Sequence, residues 1–358
     1  MQVKGTTNCY TGQNIYIGID AHLKSWKVTI LLENSDFKTF SQDPSAETLV
    51  QYLRRNFPER AYYSAYEAGF CGFSVHRDLE KQGIKNIVVN PADIPTTDKE
   101  RKQKEDKRDS RKIAKSLRNG QLEGIYIPSV IGMEFRSLVR YRKTLVQDLT
   151  RNKSRVKSLL HFNGIKIPRE LDTASKYWSG KFISWLKEVR FSSSFGDKSL
   201  SMLMDSAVFF RQKLLEVNRE LRSISNNGPY AVQLQRLCTI PGIGLVTACT
   251  LLSEIEDISR FRNLDTLCSY IGLVPSTNSS SDKEILRGIT PRANKPIRAV
   301  LIEAAWMAIR NDPSLALRFN ELRKRMDSNK AIIRIAKNLL SRIRYVLKYE
   351  TEYAYSKV

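Results

Sequence analysis

Between Ile15 and Val89 the chain reads as extended and helical segments in one strict order, and that order limits its fold more than any other feature. Ile15-Tyr16-Ile17-Gly18-Ile19 is short and β-prone. Trp26 to Leu32 and Phe37 to Phe40 follow at hairpin-like spacing, which predicts a three-stranded meander. Ala46 to Asn56 has the apolar spacing of an amphipathic helix, Ala61 to Tyr66 reads as a strand, Phe73 to Gln82 as a helix and Ile87 to Val89 as another strand. A further helix is expected through Asp109 to Leu117.

The order β-β-β-α-β-α-β followed by a helix is that of an RNase-H-like (RuvC-like) α/β unit, expected over residues 12–125. Actin-like ATPases also open on a strand reading Gly-Ile-Asp, but their phosphate loop needs a glycine close behind it. Here Asp20 is followed by Ala21-His22-Leu23-Lys24-Ser25, which argues against nucleotide binding.

The middle of the chain, residues 130–228, is expected to be helical. Leu203, Ala207, Phe210, Leu214, Val217, Leu221 and Ile224 alternate spacings of four and three, the seam of a coiled coil. Phe135, Leu138, Leu145, Leu149, Val156 and Leu159 largely follow the same rule, with Arg142 and Asn152 falling on the seam. Two such seams fit either a hairpin within one chain or an arm joining two protomers. After the breaker run Asn226-Asn227-Gly228-Pro229, a mainly helical region is expected over 230–320 and a basic helical tail over 321–358.

Lys and Arg number 59 against 37 Asp and Glu, a net charge of +22, which implies a polyanionic partner and excludes few other classes. The cysteines are scattered without metal or disulfide spacing, so a reducing cytosol fits and a zinc site does not. No apolar stretch is long enough to span a bilayer, and no membrane partner is expected.

Four carboxylates fall where the expected fold would bring them together. Asp20 ends the first strand and Glu67 the strand from Ala61, and these strands are neighbours in an RNase-H-like sheet. Asp106 and Asp109, three apart, share one helix face. Converging carboxylates repel unless a hard cation neutralises them, so Mg²⁺ is expected, with Mn²⁺ as a substitute, in a site suited to phosphoryl transfer. Singly, each has a bland explanation as a turn, cap or solvated helix residue.

Ile240-Pro241-Gly242-Ile243-Gly244 between helical stretches has the form of a helix-hairpin-helix turn, in which Gly242 and Gly244 would let backbone amides approach a phosphate. Further on, Ser276 to Asp282 is a run of small hydroxyl residues followed by Lys283, Arg287, Arg292, Lys295 and Arg298. By itself that run reads as a solvated loop; a serine among cations is also the arrangement for attack on a phosphodiester.

Taken in order, these motifs resemble the DEDD-type insertion-sequence transposases, the group that includes the Piv site-specific invertase and the bridge-RNA-guided recombinases. The resemblance runs from about Ile15 to Asp312 through Tyr16-Ile-Gly-Ile-Asp20, Tyr66-Glu67-Ala-Gly, Val89-Asn-Pro, Lys104-Glu-Asp106-Lys-Arg-Asp109, Ile240-Pro-Gly-Ile-Gly, Tyr270-Ile-Gly-Leu-Val-Pro and Arg287-Gly-Ile-Thr290. Ala293 stands where the family frequently has glycine.

The resemblance implies that Asp20, Glu67, Asp106 and Asp109 bind Mg²⁺ and that a serine among Ser279, Ser280 and Ser281 links covalently to DNA, with Ser280 the best positional match. It also implies donor and target DNA as substrates, an element-encoded guide RNA, a dimer or tetramer, and a bacterial cytoplasmic, nucleoid-associated setting. Two other readings use parts of the same features. One is a Holliday-junction-type nuclease that needs the carboxylates and water but no serine; the other is a non-enzymatic nucleic-acid-binding protein that needs neither.

Overall fold

The computed structural model describes residues 14–95, 106–280, 283–291 and 293–354. The chain divides into two compact units, one ending at Ile127 and the other beginning at Pro128.

The first unit is built on a five-stranded sheet of β1 (Ile15–Ala21), β2 (Trp26–Leu32), β3 (Asp36–Gln42), β4 (Tyr62–Glu67) and β5 (Lys85–Val89). Their order is β3-β2-β1-β4-β5; β1, β2 and β3 are antiparallel neighbours, whereas β1, β4 and β5 run parallel. Parallel strands need crossovers, and α1 (Ala46–Asn56) and α2 (Ser74–Lys81) supply them. Helix α1 starts where the Ser45 side chain accepts the Thr48 amide, and it buries Ala46, Leu49, Val50 and Leu53 at helical spacing. These side chains join Ile15, Ile17, Ile19, Val28, Ile30 and Leu79 in one core. A smaller core of Ala65, Val89, Ile94 and Ile113 involves α3 (Asp106–Arg118). Strand side chains alternate, so Gly18 faces opposite to Ile17 and Ile19, and α3 packs there. The sheet is thus covered on both faces, an arrangement consistent with the expected RNase-H-like fold.

The second unit opens with α4 (Val130–Phe162), which is followed by α5 (Gly180–Glu188) and α6 (Ser194–Asn227). Helices α4 and α6 pack as an antiparallel pair, so the two seams meet within one chain. Leu221 and Val217 are buried there with Leu145 and Phe135. The two polar residues on the α4 seam bridge the pair: Arg142 Nε donates to Asn218 Oδ1 at 2.7 Å, and Asn152 Nδ2 donates to the Leu203 carbonyl at 2.6 Å. Each satisfies a polar group that packing would otherwise strand, and both set the register. Leu221 is buried within this pair and Leu214 is partly buried against the same core.

Next come α7 (Ala231–Cys238), α8 (Leu245–Ile255), α9 (Leu264–Ile271), the hairpin strands β6 (Pro275–Ser280) and β7 (Lys283–Ile289), and helices α10 (Lys295–Asn311), α11 (Pro313–Arg323) and α12 (Ser328–Tyr349). The hairpin departs from the loop read from the serine run, because cross-strand pairing overrides the weak β-propensity of Ser and Asn. Helix α12, in the segment read as a basic tail, buries Ile332, Ile335, Leu339, Leu340, Ile343 and Val346 and packs on α10. No helix among the described residues is long and apolar enough to cross a membrane.

Candidate functional site

The carboxylate site begins at the C-terminal ends of β1 and β4. These strands are parallel and Ile19 pairs with Tyr66, so the next residues, Asp20 and Glu67, emerge side by side at one end of the sheet. The strand end at Glu67 is anchored by buried Tyr66, whose hydroxyl donates to the Gly72 carbonyl at 2.9 Å. Desolvation raises the Tyr66 phenol above its ordinary range and keeps it a donor.

Helix α3 is pressed onto β1 at Gly18. A Cβ there would lie 2.0 Å from the Ser110 carbonyl oxygen and 2.5 Å from the Ala114 amide, so only glycine permits this approach. Ser110 Oγ also meets Thr29 Oγ1 at 2.9 Å. The other end of α3 is tied down by Arg118, which donates to the Leu32 carbonyl, and Leu32 pairs with Ile15 at the start of β1. Helix α3 therefore runs antiparallel to β1, and its first turn, with Asp106 and Asp109, lies toward the Asp20 end.

Asp109 is half-buried, while the side chain of Asp106 lies outside the described residues. Among the described residues, no three His, Cys, Asp or Glu side chains gather closely enough to hold a metal ion. The donors offered are carboxylate oxygens, the set a hard cation such as Mg²⁺ takes. His22, to which the sequence pattern assigned no role, sits with Nε2 3.1 Å from Asp20 Oδ2.

The serine hairpin is a separate feature of the second unit. Ser280 pairs with Lys283 at its closed end and Ser279 with Glu284, so the candidate nucleophile stands at the tip of a two-stranded ribbon. Ser281, Asp282 and Arg292 lie outside the described residues, as do the side chains of Ser279, Ser280, Lys283 and Arg287.

The hairpin's base is held by hydrogen bonds. The Thr290 amide donates to the Val274 carbonyl at 3.0 Å, and Arg298 Nη1 donates to the carbonyls of Thr290 at 2.7 Å and Gly272 at 3.3 Å. Arg298, expected among the phosphate-binding cations, thus clasps the two chain segments that enter and leave the hairpin. Lys295, at the start of α10, is exposed.

Beneath that clasp is a polar cluster that sequence reasoning missed. Glu254, only 2% exposed, accepts Arg140 Nε at 2.7 Å and Arg140 Nη2 at 2.9 Å, and Arg136 Nε lies 3.7 Å away. Asn294 Nδ2 donates to Glu254 Oε2 at 3.0 Å, its amide donates to the Tyr270 carbonyl, and its side-chain oxygen caps α10 at Ile297. Tyr270 Oη donates to the Glu254 carbonyl at 3.0 Å. Burial disfavours the Glu254 charge, but hydrogen bonds from Arg140 and Asn294 outweigh it and hold the carboxyl below the usual range. A signal was available: Leu245-Val-Thr-Ala-Cys-Thr-Leu-Leu-Ser-Glu-Ile255 is apolar almost all round, so its one charge had to be buried and paired.

In the Ile240–Gly244 turn, Gly242 has φ +84° and its missing Cβ would strike the Ala304 carbonyl at 2.4 Å, so glycine is needed there for packing on α10. Gly244 is the exposed glycine. It precedes α8 without a side-chain cap, and Arg142, Arg222 and the first turn of α8 line the same surface cleft.

Residues 17–163 match the model of DEDD transposases of IS110 type, described as Transposase, and residues 234–320 match the family described as Transposase IS116/IS110/IS902 family. The chain is 27% identical over 266 residues to protein y4qE of Sinorhizobium fredii, a match covering 74% of this chain and 63% of that protein, less than two thirds of its length. It is 25% identical over 309 residues to the transposase for insertion sequence element IS1533 of Leptospira borgpetersenii, covering 82% of this chain and 85% of the relative. The transposase for insertion sequence element IS1111A of Coxiella burnetii is 25% identical over 248 residues, covering 67% and 65%.

Proposed function

Since this chain belongs to the DEDD-type IS110 transposases, we propose that it cuts and rejoins DNA with a serine nucleophile, Ser280, assisted by a metal site of Asp20, Glu67, Asp106 and Asp109. The observation that carries this reading is the juxtaposition of Asp20 and Glu67 on adjacent parallel strands, with the acidic first turn of α3 directed to the same end. Mg²⁺, or Mn²⁺ in its place, would supply charge stabilisation on the phosphoryl oxygens when bound there.

In the proposed reaction the Ser280 hydroxyl attacks phosphorus. The Oγ–P bond forms, the bond from phosphorus to the leaving deoxyribose oxygen breaks, and the hydroxyl proton passes to solvent while the leaving oxygen takes one up. A deoxyribose hydroxyl of the new partner strand then displaces serine, so the phosphodiester is remade without an external energy source. The base of the ribbon is clamped by Arg298 and Asn294, and a fixed base favours presenting a nucleophile carried at the tip in one place.

The exposed N-terminus of α8 at Gly244, with Lys283, Arg287, Arg292 and Lys295, is proposed to meet DNA phosphates in helix-hairpin-helix fashion; Gly242 would act by shaping that turn. We further propose that an element-encoded RNA selects the DNA, that the functional form is a dimer or tetramer, and that the carboxylate unit of one copy works with the serine unit of another.

The test is to trap a covalent protein–DNA adduct under denaturing conditions. Ser280→Ala should bind DNA yet form no adduct, with Ser279→Ala and Ser281→Ala as position controls. Asp20→Asn should abolish metal-dependent cleavage while binding persists. Metal-dependent cleavage without any adduct in the unaltered protein would replace the serine mechanism with a water-using nuclease.

A further inference from the structure

The end of the α4–α6 arm away from the serine hairpin carries its own small lobe. Val156, Leu160, Leu171, Phe182, Leu186 and Leu200 form a core there, distinct from the main one of the unit. A packed lobe presents its surface groups as a fixed array. Over residues 151–190 that surface holds ten Lys and Arg against Glu170, Asp172 and Glu188.

Little neutralises this charge from within. Arg151 pairs with Asp148 at 3.2 Å, and Asp172 is taken by the Tyr177 hydroxyl. Arg155, Lys166, Arg169, Lys176 and Lys181 are all exposed, with no acidic side chain within 4.0 Å among the described residues. Lys153 instead lies over the Trp178 ring at 5.2 Å, and desolvation followed by the charge of Arg211 lowers its pKa. Like charges crowded at this density repel one another, and a polyanion relieves that repulsion as an ordinary solvated face of mixed sign does not.

We propose that this distal lobe grips the backbone of duplex DNA about one helical turn from the serine hairpin, an inference that rests on the DNA-rejoining reading above. The spacing comes from α4. Arg136 donates to the Ser253 carbonyl and Arg140 to Glu254 beneath the hairpin, and Phe162, 90% exposed, is the last residue of the same helix at the lobe. At 1.5 Å per residue the separation along the helix is about 35 Å, or roughly ten base pairs at 3.4 Å each. A straight duplex lying along the arm would meet both ends, and the contact at the lobe would be independent of base sequence.

The experiment uses the full chain and the fourfold variant Arg155→Gln, Lys166→Gln, Arg169→Gln and Lys176→Gln, with each half of the set made separately and the melting temperature checked. Binding to a duplex of about 40 bp, as DNA and as RNA of the same sequence, is followed by fluorescence anisotropy between about 50 and 200 mM salt. The variant should bind DNA roughly ten-fold or more weakly at the low-salt end, with the slope of log affinity against log salt shallower by about 2–4. Each half-variant should show part of the change.

Unaltered affinity and slope on DNA would overturn the inference, and a change confined to RNA would overturn it in favour of an RNA surface. Covalent trapping keeps the two readings apart. A normal adduct with an unmoved slope sinks this surface alone, whereas a flattened slope with no adduct from the unaltered protein sinks the serine mechanism and leaves the surface standing.

Discussion

Replacing Glu254 by Ala tests whether the polar cluster under the hairpin holds the serine ribbon in place. The carboxylate is nearly fully buried and accepts from Arg140 and Asn294, with Arg136 close by. Removing one partner of a buried pair typically costs about 3–5 kcal/mol, because the other charge is left uncompensated. Here Arg140 is 56% exposed and can turn to water, which lowers the figure to about 2–4 kcal/mol. For a unit of this size each kcal/mol shifts the midpoint by about 2–4 °C, so scanning calorimetry should show the second unit melting roughly 5–15 °C lower.

Hydrogen exchange gives the local readout. The amides of Asn294 and Thr290, bonded to Tyr270 and Val274, should lose protection before the α4–α6 pair does. Arg140→Ala should cost more than an exposed ion pair would, since it leaves the buried Glu254 charge with Arg136 and Asn294 alone. A double-mutant cycle of Glu254→Ala with Arg140→Ala should then give a coupling of about 1–3 kcal/mol. A midpoint unchanged within about 1 °C in Glu254→Ala, with exchange at Asn294 and Thr290 as before, would refute the reasoning.

Three further outcomes follow from contacts of the same kind. Gly18→Ala should destabilise the first unit by about 1–3 kcal/mol or more, since its methyl would meet backbone rather than a movable side chain, and metal-dependent cleavage should fall further than DNA affinity; a normal melting curve would refute the close approach. Asp312 is buried, which opposes ionisation, but Ser314, the Leu315 amide, Arg342 and Tyr353 hold its pKa down to about 2. It should therefore contribute about 2 kcal/mol above its unfolded pKa, lost as the pH falls from about 4 toward about 2, and Asp312→Asn should remove that acid-dependent part of the stability curve. Arg298→Ala should lower stability by about 1.5–3 kcal/mol through its two carbonyl bonds and leave the salt slope for DNA binding unmoved; a slope shallower by about 1 would return Arg298 to the phosphate contacts.

Local pattern made much of this protein legible. Runs such as Ile15 to Ile19 and the spacing of Leu49, Val50 and Leu53 carry their own periods, so the strand and helix order of the first unit followed from sequence. The ends of β1 and β4 were readable for the same reason, and with them the meeting of Asp20 and Glu67. The seams of α4 and α6 were equally plain as patterns. Whether they would meet in one chain or two was not, because a heptad repeat specifies a face and not its partner.

Contacts between residues far apart in sequence were decided only by the tertiary structure. The serine run carries a loop's composition and became a ribbon, since pairing with Lys283 to Ile289 lies outside any local window. Arg298 and Gly242 have the residue types of a phosphate contact. In the fold, one clasps the hairpin's base and the other receives α10, because buried carbonyls need donors and packed helices need room. Glu254 was visible as a lone charge on an apolar helix, but its partners Arg140 and Asn294 lie 114 and 40 residues away. Burial makes such a charge find a partner, and only the chain's path through space determines which one.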